Sequence, residues 1–171
     1  MPNPTMKLIA SVTVGAGGAA SIDFTSIPGT YTDLKLVVSA RSSSTAGQPW
    51  AVIRATFNGS SSNWAYKAIY GDGSTASSAG NTLSELGFGT SSSNTASTFG
   101  NTEIYIPNYA NSSYKSVSVD SVTENNATQT LSALEANLWS NTAAITSISL
   151  PCATGTWVQN STAYLYGISN S

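Results

Sequence analysis

From Leu34 to Arg41 apolar and polar positions alternate: Leu34, Leu36, Val38 and Ala40 fall on one side, and Lys35, Val37, Ser39 and Arg41 on the other. A period of two with one apolar side predicts a strand lying on a core. Val37 on the second side predicts that this side is half-covered by a neighbouring subunit. The same period recurs in segments 7–14, 20–24, 50–58, 64–70, 83–88, 102–107, 115–122, 144–150 and 163–168. Segment 130–140 reads in two ways. Leu131, Leu134 and Leu138 suit a helix, whereas Ala133, Glu135, Asn137 and Trp139 alternating against Leu134, Ala136 and Leu138 suit a strand. Strands on both sides favour the strand.

Turn chemistry separates these segments. Pro28-Gly29 precedes the strand at 34–41, and Asn58-Gly59 is a hairpin signal. Stretches 41–49, 71–82, 89–101 and 123–130 are rich in Ser, Thr, Asn and Gly and read as long loops. The pattern predicts an all-β fold, an antiparallel β-sandwich of the jelly-roll kind, with about nine or ten strands and little or no helix. Residues 1–6, with Pro2 and Pro4 and no core position, read as an N-terminal arm, and residues 7–171 as one β-sandwich domain.

Composition changes the picture of the surface. Of 171 residues, 40% are hydrophobic, enough for a core without staples, but only 8% are charged, against about 25% in an ordinary soluble domain. Hydroxyls and amides must cover the exterior. Such a surface repels itself weakly, which suits a chain that lives in an assembly. The net charge of −2 carries no basic footprint, so a nucleic-acid partner is not expected. No apolar run is long enough to predict membrane insertion. Lys7 and the apolar residues after it resemble a signal peptide faintly, but Ser, Thr and Gly interrupt them. We expect an uncleaved chain made in the cytoplasm.

Candidate chemistry is sparse. The chain has no histidine, which excludes His-based triads and His metal sites, and a single cysteine, Cys152, which excludes an intrachain disulfide. Cys152 reads as a small buried apolar residue. No phosphate-cradling loop is present, and Gly71-Asp72-Gly73 lacks the acidic positions of a calcium loop, so it reads as a turn. We expect no cofactor. A glycosidase needs only two carboxylates, and Glu85, Glu103, Asp120, Glu124 and Glu135 are the candidates. Glu103 and Asp120 lie on neighbouring predicted strands near Lys115, where cross-strand charge pairing explains them. Asn58, Asn111, Asn126 and Asn160 open N-x-[ST] sequences, as a chain this rich in Asn and Ser produces by chance. An enzyme is not the expectation.

Most aromatic residues lie on predicted strands and read as core. Trp50, Tyr109 and Tyr114 stand beside or within loops, where aromatic side chains serve as interface anchors or sugar platforms. With Pro2, Pro4 and Met6 of the arm, they form the expected interface set.

Three segments, IPGTYTDLKLVVSAR (27–41), IPNYANSSYKS (106–116) and LYGI (165–168), resemble virion structural proteins of tailed bacteriophages, especially phages of aquatic bacteria. The resemblance covers most of the chain, through turn-and-strand signatures and not a chemical site. It implies a β-sandwich or jelly roll, a homotrimer and no catalytic residue. The function it implies is that of a capsid decoration (cement) protein on the outer surface of the virion. Such a protein bridges subunits of the major capsid protein. The alternative is a tail-fibre or receptor-binding module that recognises host-surface glycans through loops 41–50, 71–82 and 89–101. Compact length without a shaft-forming repeat favours the cement reading. Synthesis in the host bacterial cytoplasm, then life outside the cell, fits a charge-poor chain held by burial, which salt does not weaken.

Overall fold

The alternating segments become strands, and every strand pairing is antiparallel. The computed structural model describes residues 5–126 and 130–169. The chain forms β1 (Met6–Thr13), β2 (Ser21–Phe24), β3 (Asp33–Ala40), β4 (Trp50–Arg54), β5 (Thr56–Phe57), β6 (Trp64–Gly71) and β7 (Ala76–Asn81). It continues with β8 (Glu85–Thr90), β9 (Gly100–Ile106), β10 (Lys115–Val122), β11 (Ser132–Trp139), β12 (Ile148–Pro151) and β13 (Thr162–Ile168). Among the described residues there is no helix.

Eight strands make one large sheet in the order β1-β13-β3-β9-β10-β11-β6-β7, covered by a three-stranded sheet, β2-β12-β5, and a pair, β4-β8. The thirteen strands exceed the nine or ten expected. The run at 50–58 changes partner at Ala55, so its first part pairs with β8 and its last two residues with β12. Ala76–Asn81, read as loop, pairs along β6 instead. Leu34, Leu36, Val38 and Ala40 face inward as their period predicts, beside Ile104, Ile106, Val117, Val119 and Leu165. Ile22, Phe24, Phe57, Leu86, Ile148 and Leu150 close the core from the second layer. Each such side chain contributes about 1.5–3 kcal/mol on burial.

One strand turns its hydropathy inside out. On β11 the buried residues are Ala133, Glu135, Asn137 and Trp139, while Leu134 and Leu138 are 55% and 37% exposed. Trp139 sets this phase. It lies opposite Trp64, and both indoles pack on Phe57, with ring centroids 5.4 and 4.8 Å away. Burying two indoles outweighs exposing two leucines. Because side chains alternate strictly, the rest of the strand follows that choice.

Segments 27–41, 106–116 and 165–168 meet at one end of the sandwich. The Tyr31 ring lies flat on Gly167, where an added Cβ would sit 2.3 Å from the ring. The Tyr109 hydroxyl donates to the Pro28 carbonyl. Asp33 accepts from the Tyr105 hydroxyl at 2.6 Å and from the Asn108 N–H at 2.8 Å. Lys115, fully buried, donates its ammonium to the carbonyls of Asn111 and Ser113. Desolvation lowers its pKa. These segments hold the fold together at a single node.

Of the expected arm, residues 1–4 lie outside the described residues, and Met6 belongs to a strand. Met6 opens β1 opposite Ile168, and the Thr5 carbonyl accepts from the Ser169 N–H. Two stretches read as loose loops are also fixed. Arg41, only 8% exposed, donates to the carbonyls of Ser92, Asn94, Thr95 and Thr98 at 2.9–3.3 Å. Among the described residues no carboxylate pairs with that guanidinium. Five N–H donors in a planar fork gather the loop's carbonyls around one point.

Candidate functional site

The outer side of the large sheet carries exposed large apolar side chains. Ile69 on β6 lies directly opposite Leu134 on β11, and they are 62% and 55% exposed. Leu138 and Val122 extend the stripe along the strands, and Ala65 and Ala136 fill its gaps. Beside it, edge strand β7 bounds two adjoining grooves of about 740 and 680 Å³, both lined by Ile69, Ser78 and Leu134. Isolated exposed leucines need no explanation, but a contiguous apolar stripe beside a groove marks a contact surface.

Charge borders the stripe on both sides, with Lys67 opposite Ala136 on β6 and Asp120 opposite Leu134 on β10. Asp120 lies directly opposite Glu103, a like-charge pair that disfavours the sheet locally. Lys35 relieves it through an ion pair with Glu103 at 2.7 Å. Lys115 plays no part, because it is buried at the node; the expected pairing of these acids with Lys115 is corrected accordingly.

The expected interface residues do not converge. Pro2 and Pro4 lie outside the described residues. Met6 is 50% exposed on edge strand β1, and Tyr114 is 59% exposed just before β10, both at the node end of the sheet. Trp50 is half-buried at the other end of the sandwich, its ring edge-on to Phe88. Tyr109 is wholly enclosed. Its expected surface role is corrected: its ring fills the core and its hydroxyl closes a turn. Ile69 and Leu134, which do form a surface, were not singled out by sequence. The alternation at 130–140 was the available signal, and it names two faces without saying which is buried.

Of the five candidate carboxylates, the fold joins two pairs: Asp120 with Glu103 on the outer side, and Glu85 with Glu135 inside. Glu85 and Glu135 are 7% and 4% exposed under β8, beside Tyr66 and Arg54. Arg54 lies 2.9 Å from Glu85, an ion pair by distance without hydrogen-bond alignment. Burial, opposed by a hydrogen bond from Asn137, pushes Glu135 up to about 7. Burial, reinforced by Glu85, pushes the Tyr66 phenol up to about 12. A glycosidase needs both carboxylates at one accessible bond, and Glu135 faces Gly87 N–H at 3.1 Å instead of an opening. Glu124 is exposed and caps its own turn through the Asn126 N–H.

Comparison of the chain with family models, with characterised proteins and with solved structures returned no match in any of the three.

Proposed function

We propose that the chain is a structural protein of a bacteriophage virion, a capsid decoration protein that seats the outer side of its large sheet against the major capsid protein. The observation that carries this reading is the Ile69–Leu134–Leu138 stripe, exposed on a chain with very few charges to keep it in water. Seven interstrand steps of about 4.8 Å and strands of about 26 Å give roughly 900 Å² of sheet. A stable interface needs about 800 Å² per partner. The face is wide enough for a capsid subunit or for neighbouring copies in a homotrimer.

The strand order supports the jelly-roll part of the reading. The chain alternates between layers at both ends: β1 and β3 lie in the large sheet, β2 and β5 in the small one. The last two strands then slot in as partners, β12 between β2 and β5, and β13 between β1 and β3. That interleaving fits a jelly roll widened by β10, β11, β6 and β7. The receptor-binding alternative loses ground, because the polar groups of loops 41–50 and 91–98 bond one another. Ser91 and Ser92 hydroxyls donate to the carbonyls of Gln48, Ser43 and Ser44.

Sedimentation of purified chain with phage heads stripped of it tests the proposal. The wild type is expected to bind in many copies per head, and Leu134→Asp to lose binding while keeping its melting temperature. Binding to tails alone, or equal binding by Leu134→Asp, overturns it.

A further inference from the structure

The two layers stand apart where β4 and β8 face the inner side of β6 and β7, leaving a hollow of about 170 Å³. Trp50 and Phe88 form one corner of it, their rings at 79° with centroids 6.5 Å apart. Tyr70 closes that end, and Tyr66 and Glu85 line the other. Ala79, opposite Ala68 in the β6-β7 pairing, supplies a floor without bulk. The space equals roughly five or six waters at about 30 Å³ each.

The charge around this hollow does not balance. Glu85, Glu135 and Arg54 are the charged groups acting on the Tyr66 phenol. Two carboxylates face one guanidinium, so the cluster is left with one negative charge when both acids ionise. Glu135 Oε1 has no hydrogen-bond partner, and neither has the nearby Asn137 Oδ1. A hard metal ion would need several oxygen ligands around one point. The hollow offers rings instead, whose negative faces attract diffuse cations. A neutral sugar would need free donors and acceptors, whereas Glu85 already serves Arg54 and Tyr66.

We infer that this hollow binds a small organic cation of the methylated-ammonium class, held against Trp50, Phe88 and Tyr70 and drawn in by Glu85, while Glu135, outside the lining, adds its charge through space from behind Glu85. Glu135 makes the binding pH-dependent. It faces Gly87 and Glu85 from β8, Tyr66 from β6 and Asn137 on its own strand. With its pKa near 7 it is mostly neutral at pH 6 and mostly charged at pH 8. Affinity therefore rises with pH across that interval.

Titration with tetramethylammonium chloride, against sodium chloride of equal ionic strength, tests the inference by calorimetry and tryptophan fluorescence. Saturable binding is expected below about 50 mM at pH 8, and several-fold weaker binding at pH 6. Trp50→Ala, at a half-buried rim, is expected to weaken binding about tenfold without loss of fold. Glu135→Gln is expected to keep the pH 6 affinity and lose the gain at pH 8. Absence of saturable binding, equal binding by both variants, or tighter binding of glucose or N-acetylglucosamine overturns the inference.

Discussion

Asp33 and Glu135 are carboxylates on the same large sheet, Asp33 on its outer side in phase with Lys35 and Glu135 on its inner side, and each is 4% exposed. Asp33 accepts two short hydrogen bonds, one at each oxygen, from Tyr105 and Asn108. Glu135 accepts two longer ones, 3.1 and 3.2 Å, on the same oxygen, and its other oxygen has none. Equal burial thus has opposite consequences. At the node the buried polar groups are matched to partners, and they fix where three segments of chain meet. Under β8 the matching is incomplete, and an unsatisfied buried group costs about 1–3 kcal/mol. Segments 27–41, 106–116 and 165–168 carry architecture. The cost sits elsewhere, in residues that no motif announced.

That contrast can be broken most forcefully at Gly167. An alanine there would drive its Cβ into the base of the Tyr31 ring, which cannot swing away as a flexible side-chain end could. Gly167→Ala is expected to cost about 3 kcal/mol, a fall of roughly 10 °C in melting temperature for a chain this size. A variant as stable as wild type would mean that Tyr31 is not the keystone of the node.

Glu135→Gln should act in the other direction. The folded-state pKa of about 7 stands above the ordinary 4.5, so the folded protein holds a proton that the unfolded chain releases. Stability therefore falls as pH rises from about 4.5 through 7, and stays low above it. The whole effect is about 3 kcal/mol at most. Denaturant titrations at pH 5 and pH 8 are expected to show the Gln variant gaining on wild type only at the higher pH. A constant difference would mean that Glu135 is already paired.

Asp33→Asn is the smallest of the three. It leaves one oxygen to accept a neutral hydrogen bond, turns the other into an NH2 donor facing a former donor, and is expected to lose about 2 kcal/mol. A gain in stability on this substitution would erase the distinction between the two carboxylates.

How much of this was legible in the sequence differs strand by strand. β3, β9, β10 and β13 announce themselves because each alternates apolar and polar residues with the apolar side inward. β7, ASSAGN, has no large apolar residue and becomes a strand only because β6 offers it an edge. β8 is buried throughout, and Gly87, at φ 94°, lets its backbone settle on Thr102, Val119 and Ser121. No period records such a close approach. Tyr109 looked like a loop-edge anchor, since sequence shows a neighbouring loop but not that the loop folds back over the ring. For β11 the period was right and its facing was not readable, because the deciding contacts come from Phe57 and Trp64, far away in the chain.

β11 also bears on the choice between two registers. A slip of one residue would bury Leu134 and Leu138 and turn Glu135 and Asn137 to water, satisfying local hydropathy better than the native pairing does. Such a strand is a point of frustration, with two registers in competition and a cluster of three aromatic rings as arbiter. Anything that covers Leu134 and Ile69 binds only the native register. By mass action it stabilises that register in proportion to the logarithm of its concentration. Copies paired in the wrong register would present a polar face to such a partner and fail to dock.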